Sequence, residues 1–371
     1  MKPSPALPSV RHYLPGGREQ GGGIGRLVGY IVDAQPGTSR HEIQDTRGPE
    51  WNALSSGGKM ASAMATLARD RARTPDMIHH IHVAGRGSTA RKLILTSAAR
   101  HMGARHVLHL HDYDYRADYL ARPGWQQAAV RAMFQGADKV IVLGAGDRDL
   151  VRDLLRVPPE RIAIAYNCVP DPGPRPARPG GDAPVHILFL GQLGPRKGTP
   201  ELLSALAHPG MAGRSWRATI AGNGPVADYR EMAVTLGLGD RVYMPGWVSE
   251  AEVRSLCQAA DILVLPSHAE GFAMAVLEGL SHGLAVITTR VGAHEDLLRH
   301  DDTCVFVPVG EPAALASAMA GLIDHPAHRQ RIGAAGRDLF LSRLDIRSYA
   351  TRLADIYAGL GSPALVPEGA A

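Results

Sequence analysis

The chain has 371 residues, more than one hydrophobic core usually serves, so two domains of ordinary size are expected. Apolar residues make up 45% and charged residues 20%, which excludes a disordered chain, and 42 glycines with 27 prolines suit many short turns. The net charge of +4 is uneven: residues 1–170 hold 23 Lys and Arg against 15 Asp and Glu, leaving that half at +8 and the rest at −4. A basic first half suits an anionic membrane surface or a lipid diphosphate, whereas scattered arginines and few aromatics exclude nucleic acid as a partner.

The opening MKPSPALPSV lacks the apolar stretch of a signal peptide, and no segment approaches the ~20 apolar residues of a spanning helix. A cytoplasmic protein is expected, with peripheral contact at the inner face of the membrane. Strands are predicted at SVRHYL (9–14), MIHHIHVAG (77–85), RHVLHLHD (105–112), DKVIVLG (138–144) and RIAIAYN (161–167), with HEIQD (41–45) the weakest candidate. The Pro/Gly stretch DPGPRPARPGGDAP (171–184) has no periodicity and reads as a linker. Beyond it the strands are VHILFLG (185–191), RATIAG (217–222), RVYMPG (241–246), DILVLP (261–266), LAVITT (284–289) and CVFVP (304–308). Helical stretches separate them, the signature of parallel sheets with crossover helices, so each half is expected to be a doubly wound α/β domain. The boundaries are 1–170, 171–184 and 185–342, with a last helix at 343–360 directed back to the first domain and a loose tail GSPALVPEGAA.

Cys168, Cys257 and Cys304 are an odd number without ligand spacing and read as reduced core thiols. His79, His80, His82, His109 and His111 suggest a metal, but neighbours in one strand alternate faces and no Cys or acidic partner stands at ligand spacing, so a zinc site is not expected.

Two segments carry chemistry. In PSHAEGFAMAVLEG a buried strand ends at Pro266, a loop reaches Glu270, and a helix is predicted from about Phe272. With Glu278 two turns into that helix the carboxylates would lie roughly 12 Å apart at ~1.5 Å per residue, the span of a nucleotide sugar. The amides of Gly271, Phe272, Ala273 and Met274 would form an anion site at the helix N-terminus. In LFLGQLGPRKGTPELL a strand runs into a Gly-rich turn with Arg196 and Lys197, two cations able to grip a diphosphate and stabilise it as a leaving group. Gly222, in AGNGP after the next strand, allows base or ribose to approach the backbone closely.

The E-x7-E spacing of Glu270 and Glu278, with the R-K-G turn upstream, resembles retaining glycosyltransferases of the GT-B fold, and the run from 185 to 300 is most similar to glycosyltransferase family 4. The resemblance implies two Rossmann-like domains facing each other across a cleft, the first for the acceptor and the second for a nucleotide-sugar donor. It implies that Glu278 binds the ribose, Glu270 the hexose and Lys197 the diphosphate. In the first half it places Gly23 and Gly25, in the Gly-rich turn 16–27 ahead of a helix, beside the donor, and His111 near the donor hexose. Gln192 stands where many relatives have a phosphate-binding Arg, a charge Arg196 would replace, and Ala273 where many have Pro. No metal or other cofactor is implied. The acceptor would be a saccharide or a lipid-linked saccharide, with Arg86 and Arg91 of GRGSTARK toward it, in bacterial polysaccharide or glycoconjugate synthesis. The donor base, UDP, GDP or other, stays open.

Other readings compete. Asp112-Tyr113-Asp114 is a D-x-D after a strand, as in metal-dependent GT-A glycosyltransferases. GGGIGR with Glu42 or Asp45 downstream would serve an oxidoreductase, but no strand runs directly into it. A nucleotide-sugar epimerase or a phosphorylase would use the same fold, though nothing resembles a pyridoxal phosphate lysine site. A catalytically silent nucleotide-binding protein would keep only the second domain's site.

Overall fold

A computed structural model describes residues 9–34, 40–48, 53–175 and 183–360. Residues 1–8, half of the expected linker (176–182) and the tail 361–371 lie outside the described residues. The chain divides into two compact units: residues 1–166 with 346–371, and residues 167–345.

Unit 1 holds β1 (Val10–Leu14), β2 (His41–Asp45), β3 (Ile78–Val83), β4 (His106–Leu110), β5 (Lys139–Val142) and β6 (Ile162–Ile164) in the order β2-β1-β3-β4-β5-β6. HEIQD, the weakest candidate, is a full strand paired along its length with β1. All pairs are parallel, so crossover helices cover both faces, and every residue of β1, β3 and β4 is buried. One face carries Tyr13, Ile81, Val83, Leu108 and Leu110, packed with Leu67, Leu95, Val130 and Phe134. The last helix, Ile346–Ala358, belongs to this unit: Tyr357 is buried with its hydroxyl 2.6 Å from His80 Nδ1.

Unit 2 holds β7 (Val185–Leu190), β8 (Trp216–Ala221), β9 (Val242–Gly246), β10 (Ile262–Leu265), β11 (Ala285–Thr289) and β12 (Val305–Val307) in the order β12-β11-β10-β7-β8-β9. This is the doubly wound Rossmann order, which reverses direction between β7 and β10. The carboxyl ends of those two strands leave a crevice where ligands bind in open α/β sheets. The three cysteines are buried and unbridged. No helix among the described residues is long and apolar enough to cross a membrane.

Candidate active site

In unit 2 the two chemistry-bearing segments leave the sheet side by side, after β7 and after β10. The first passes Gly191 and the exposed Gln192 and forms one 3-10 turn, Pro195–Lys197. Gly198 ends it at φ 73°, where a Cβ would collide with the carbonyl oxygen of Pro266, so only glycine lets the loops pack this closely. The amide of His268 donates to Arg196 O at 2.8 Å and fastens them together. Gly222, at φ 155°, has its Cα against the Gly191 carbonyl and brings the end of β8 to the same place.

Lys197 Nζ is 2.6 Å from Glu270 Oε1, and Arg196 Nη1 is 3.3 Å from the same oxygen and donates to Ala269 O at 3.0 Å. The Lys197 and Glu270 side chains are 14% and 8% exposed. Burial pulls the Lys197 ammonium below the usual lysine value, Glu270 opposes that pull, and Arg196 adds to it. Two cations thus converge on one oxygen of a buried carboxylate.

The helix after the loop runs from Met274 to Ser281, two residues later than the predicted start near Phe272, so Glu278 lies one turn in rather than two. Long-range bonds hold the loop extended: Ala293 N donates to Gly271 O at 2.7 Å, and Asn167 Nδ2 donates to Phe272 O at 2.8 Å. Phe272 and Ala273 are buried, and Phe272 meets the His294 ring edge-on at 5.8 Å. Ala273, the N-cap, supplies no side-chain acceptor, so the positive end of the helix is left without a side-chain cap. Glu278 is buried at 8% exposure; burial foremost raises the Cys257 thiol, and the Glu278 carboxylate adds to that rise. Asn167 and the 291–294 segment support the Glu270 loop; a lone Asn ahead of the linker gave no signal of it.

In unit 1, Gly23 and Gly25 are inside the helix Gly22–Ala34, not in a turn ahead of it. Gly25 is buried where a Cβ would crowd the carbonyls of Gly17 and Arg18, so close packing of the short helix Gly17–Gln20 accounts for it. Arg86 is exposed at φ 58° and precedes the helix Gly87–His101; its amide donates to Asp118 and its carbonyl accepts from Arg122. Arg91 is half-buried on that helix. Asp112, of the D-x-D motif, takes the Gly85 amide on one carboxylate oxygen and the Asp114 amide on the other at 3.0 Å, so its oxygens already close a turn.

The histidines depart from the expectation that strand alternation separates them. His79 and His80 do point to opposite faces, but His80 and His82 share one, and the registers His12↔His80 and His82↔His109 put His12, His80, His82, His109 and His111 on that same face. The imidazoles gather rather than disperse.

The family model described as Glycosyl transferases group 1 matches residues 179–339, and Glycosyltransferase Family 4 matches residues 28–171. The chain belongs to the group 1 glycosyltransferases. Among members, a glycogen synthase of Mycobacterium tuberculosis is 28% identical over 228 residues, 60% of this chain and 54% of that protein. An alpha-D-kanosaminyltransferase of Streptomyces kanamyceticus is 26% identical over 300 residues, 76% of this chain and 77% of its own. The chain therefore spans about half the length of the glycogen synthase it matches. Two solved structures share the fold: sucrose-phosphate synthase of Thermosynechococcus elongatus (TM-score 0.74, 17% identity, 95% of this chain and 99% of that one) and Anabaena HepE, solved with UDP and glucose (0.74, 16%, 94% and 99%). With two Rossmann-like units, this group 1 chain has the GT-B architecture, and the single-sheet GT-A reading of Asp112 and Asp114 falls away.

Proposed function

We propose that this chain transfers a hexosyl unit from a nucleotide-diphosphate sugar to a saccharide or lipid-linked saccharide, with retention at the anomeric carbon and without a metal on the diphosphate. One observation carries the reading: Arg196 and Lys197 meet Glu270 at the point where the unit 2 strand order reverses. An incoming diphosphate competes with Glu270 for the two cations. Glu270 is then released to sugar hydroxyls, Glu278 takes the ribose, and the backbone at Gly222 admits base or ribose. As the bond from C1 to the phosphate oxygen breaks, negative charge gathers on the diphosphate, where the two cations and the helix end at Met274 stabilise it. The acceptor oxygen bonds to C1 on the same face, and its proton passes to the departing phosphate oxygen.

Unit 1 is assigned to the acceptor, with Arg86 and Arg91 toward it and anionic membrane contact on its basic surface. HepE, solved with UDP and glucose, and the glycosyl-transferring relatives support a nucleotide-sugar donor; a place in bacterial polysaccharide or glycoconjugate synthesis is part of the proposal. The test is donor hydrolysis across UDP-, GDP- and ADP-sugars with EDTA present. Slow hydrolysis of one donor, undiminished by chelator, is expected. Loss with EDTA and recovery with manganese or magnesium would refute metal-free departure. A chain whose melting shifts with one donor while it neither hydrolyses that donor nor transfers from it is catalytically silent.

A further inference from the structure

One face of the unit 1 sheet is lined with imidazoles where a parallel sheet usually carries aliphatic side chains. His12, His80, His82 and His109 are fully buried, His41 nearly so, and His111, one residue past β4, is half-buried. Their nitrogens connect in two lines. In the first, His41 Nδ1 is 2.9 Å from His12 Nε2, His12 Nδ1 is 3.1 Å from His82 Nε2, and His82 Nδ1 is 2.9 Å from His111 Nε2. In the second, the Tyr357 hydroxyl is 2.6 Å from His80 Nδ1, and His80 Nε2 is 3.2 Å from His109 Nδ1. His109 Nε2 is buried with no hydrogen-bond partner among the described residues.

A neutral imidazole has one N–H and one lone pair, so all rings in a line share one sense. If His82 donates to His12 and His12 to His41, the His82 lone pair stands at Nδ1, facing His111. If His109 donates to His80 and His80 to the Tyr357 oxygen, the His109 lone pair is left at the unpartnered Nε2. Burial keeps the rings neutral, holding His82 and His109 well below the usual histidine value and pushing His111 down to about 3. The neutral ring is the form that binds a metal.

We propose that His82, His109 and His111 form a site for a late first-row divalent cation of the zinc class, with a fourth position open beside the half-buried His111. One nitrogen from each lies within 4.8 Å of the others. Ligand nitrogens around tetrahedral zinc stand about 3.3 Å apart, given bonds of about 2.0–2.1 Å, so closure needs shifts on the order of an ångström. His12 and His41 then hold the His82 ring, and His80 with Tyr357 holds the His109 ring, the outer-shell bonds that metal-ligating imidazoles ordinarily make. The other close triad, His12, His80 and His82, suits an ion less well. Both nitrogens of His12 and His80 are engaged, and all three rings are sealed from the water that would complete the coordination. This site lies in unit 1, whereas the diphosphate chemistry rests on residues of unit 2.

The test titrates chelator-stripped full-length protein with Co2+, follows the visible bands of tetrahedral cobalt, and then displaces cobalt with Zn2+. One ion per chain is expected, with affinity falling by at least about a hundredfold in His109→Gln and in His82→Gln, since loss of an outer-shell partner alone costs about 10–100-fold. The exposed His101→Gln should bind as wild type does. X-ray absorption of the zinc-loaded wild type, which needs no variant to fold, should show three imidazole nitrogens. Absence of binding by either ion, sulfur ligands, or binding that survives His109→Gln but is lost in His12→Gln would each overturn the assignment.

Discussion

Lys197 Nζ and Glu270 Oε1 are 2.6 Å apart, although their backbones leave different strands of the unit 2 sheet. Such a pair serves two purposes that substitution separates. Lys197→Met should lower turnover by about 10²–10³-fold, the scale of losing one charge-stabilising donor. It should also destabilise the protein, because among the described residues it leaves the buried carboxylate paired only with Arg196. The double variant Lys197→Met, Glu270→Gln should regain stability in urea unfolding and stay inactive. Recovery of turnover in the double variant would show that Lys197 only neutralises Glu270.

Glu278 is expected to hold the ribose of the donor. Glu278→Gln keeps the shape and removes the charge, so nucleoside diphosphate affinity should fall by roughly 1–3 kcal/mol, the range for hydrogen bonds to a charged acceptor. Titration calorimetry on folded variant measures this directly. Unchanged affinity would reduce the E-x7-E spacing to the packing of the Met274–Ser281 helix.

For the acceptor side, the joint variant Arg86→Ala, Arg91→Ala should leave nucleoside diphosphate affinity within about twofold while transfer to acceptor drops about tenfold or more, as for lost charge-assisted contacts. Binding to vesicles containing anionic lipid should weaken and become less sensitive to salt. Loss of nucleoside diphosphate affinity as severe as in a Lys197 variant would end the division of labour between the units.

Lys92 tests the pH dependence of unit 1. It is fully buried, its Nζ donates to Thr46 Oγ1 at 2.7 Å, and burial foremost, with Arg91 beside it, pulls its pKa down to about 7. An unfolded lysine stays protonated to about 10.4. Between these values the unfolded chain binds more protons than the folded one, so stability rises with pH across that window, by at most about 4 kcal/mol. Urea unfolding at several pH values should show the slope in the wild type and lose it in Lys92→Met. A slope that persists in the variant would place its source elsewhere.

The strands and the Glu270, Glu278 and Arg196-Lys197 segments were legible because each rests on local pattern: apolar runs, glycine turns and fixed spacing. The start of the Met274–Ser281 helix was not. It is delayed by a bond from Asn167 to Phe272, which reaches across 105 positions of sequence, and by one from Ala293. Gly23 and Gly25 suggest a turn because glycine signals backbone freedom, whereas at Gly25 it serves a close approach between two helices. The imidazole layer stayed hidden because it depends on register between strands. His82 and His109 are neighbours only once β3 and β4 pair, and no rule of spacing within one strand contains that information.

The return of Ile346–Ala358 to unit 1 bears on how the chain is made. During synthesis residues 167–345 are all exported from the ribosome before Tyr357, whose hydroxyl reaches His80. The second unit in sequence therefore has its whole complement of residues first, and the first unit must wait, with a layer of imidazoles incompletely covered, until the final helix emerges. A released chain that ends at residue 345 should display a protease-resistant second unit joined to a protease-sensitive first one.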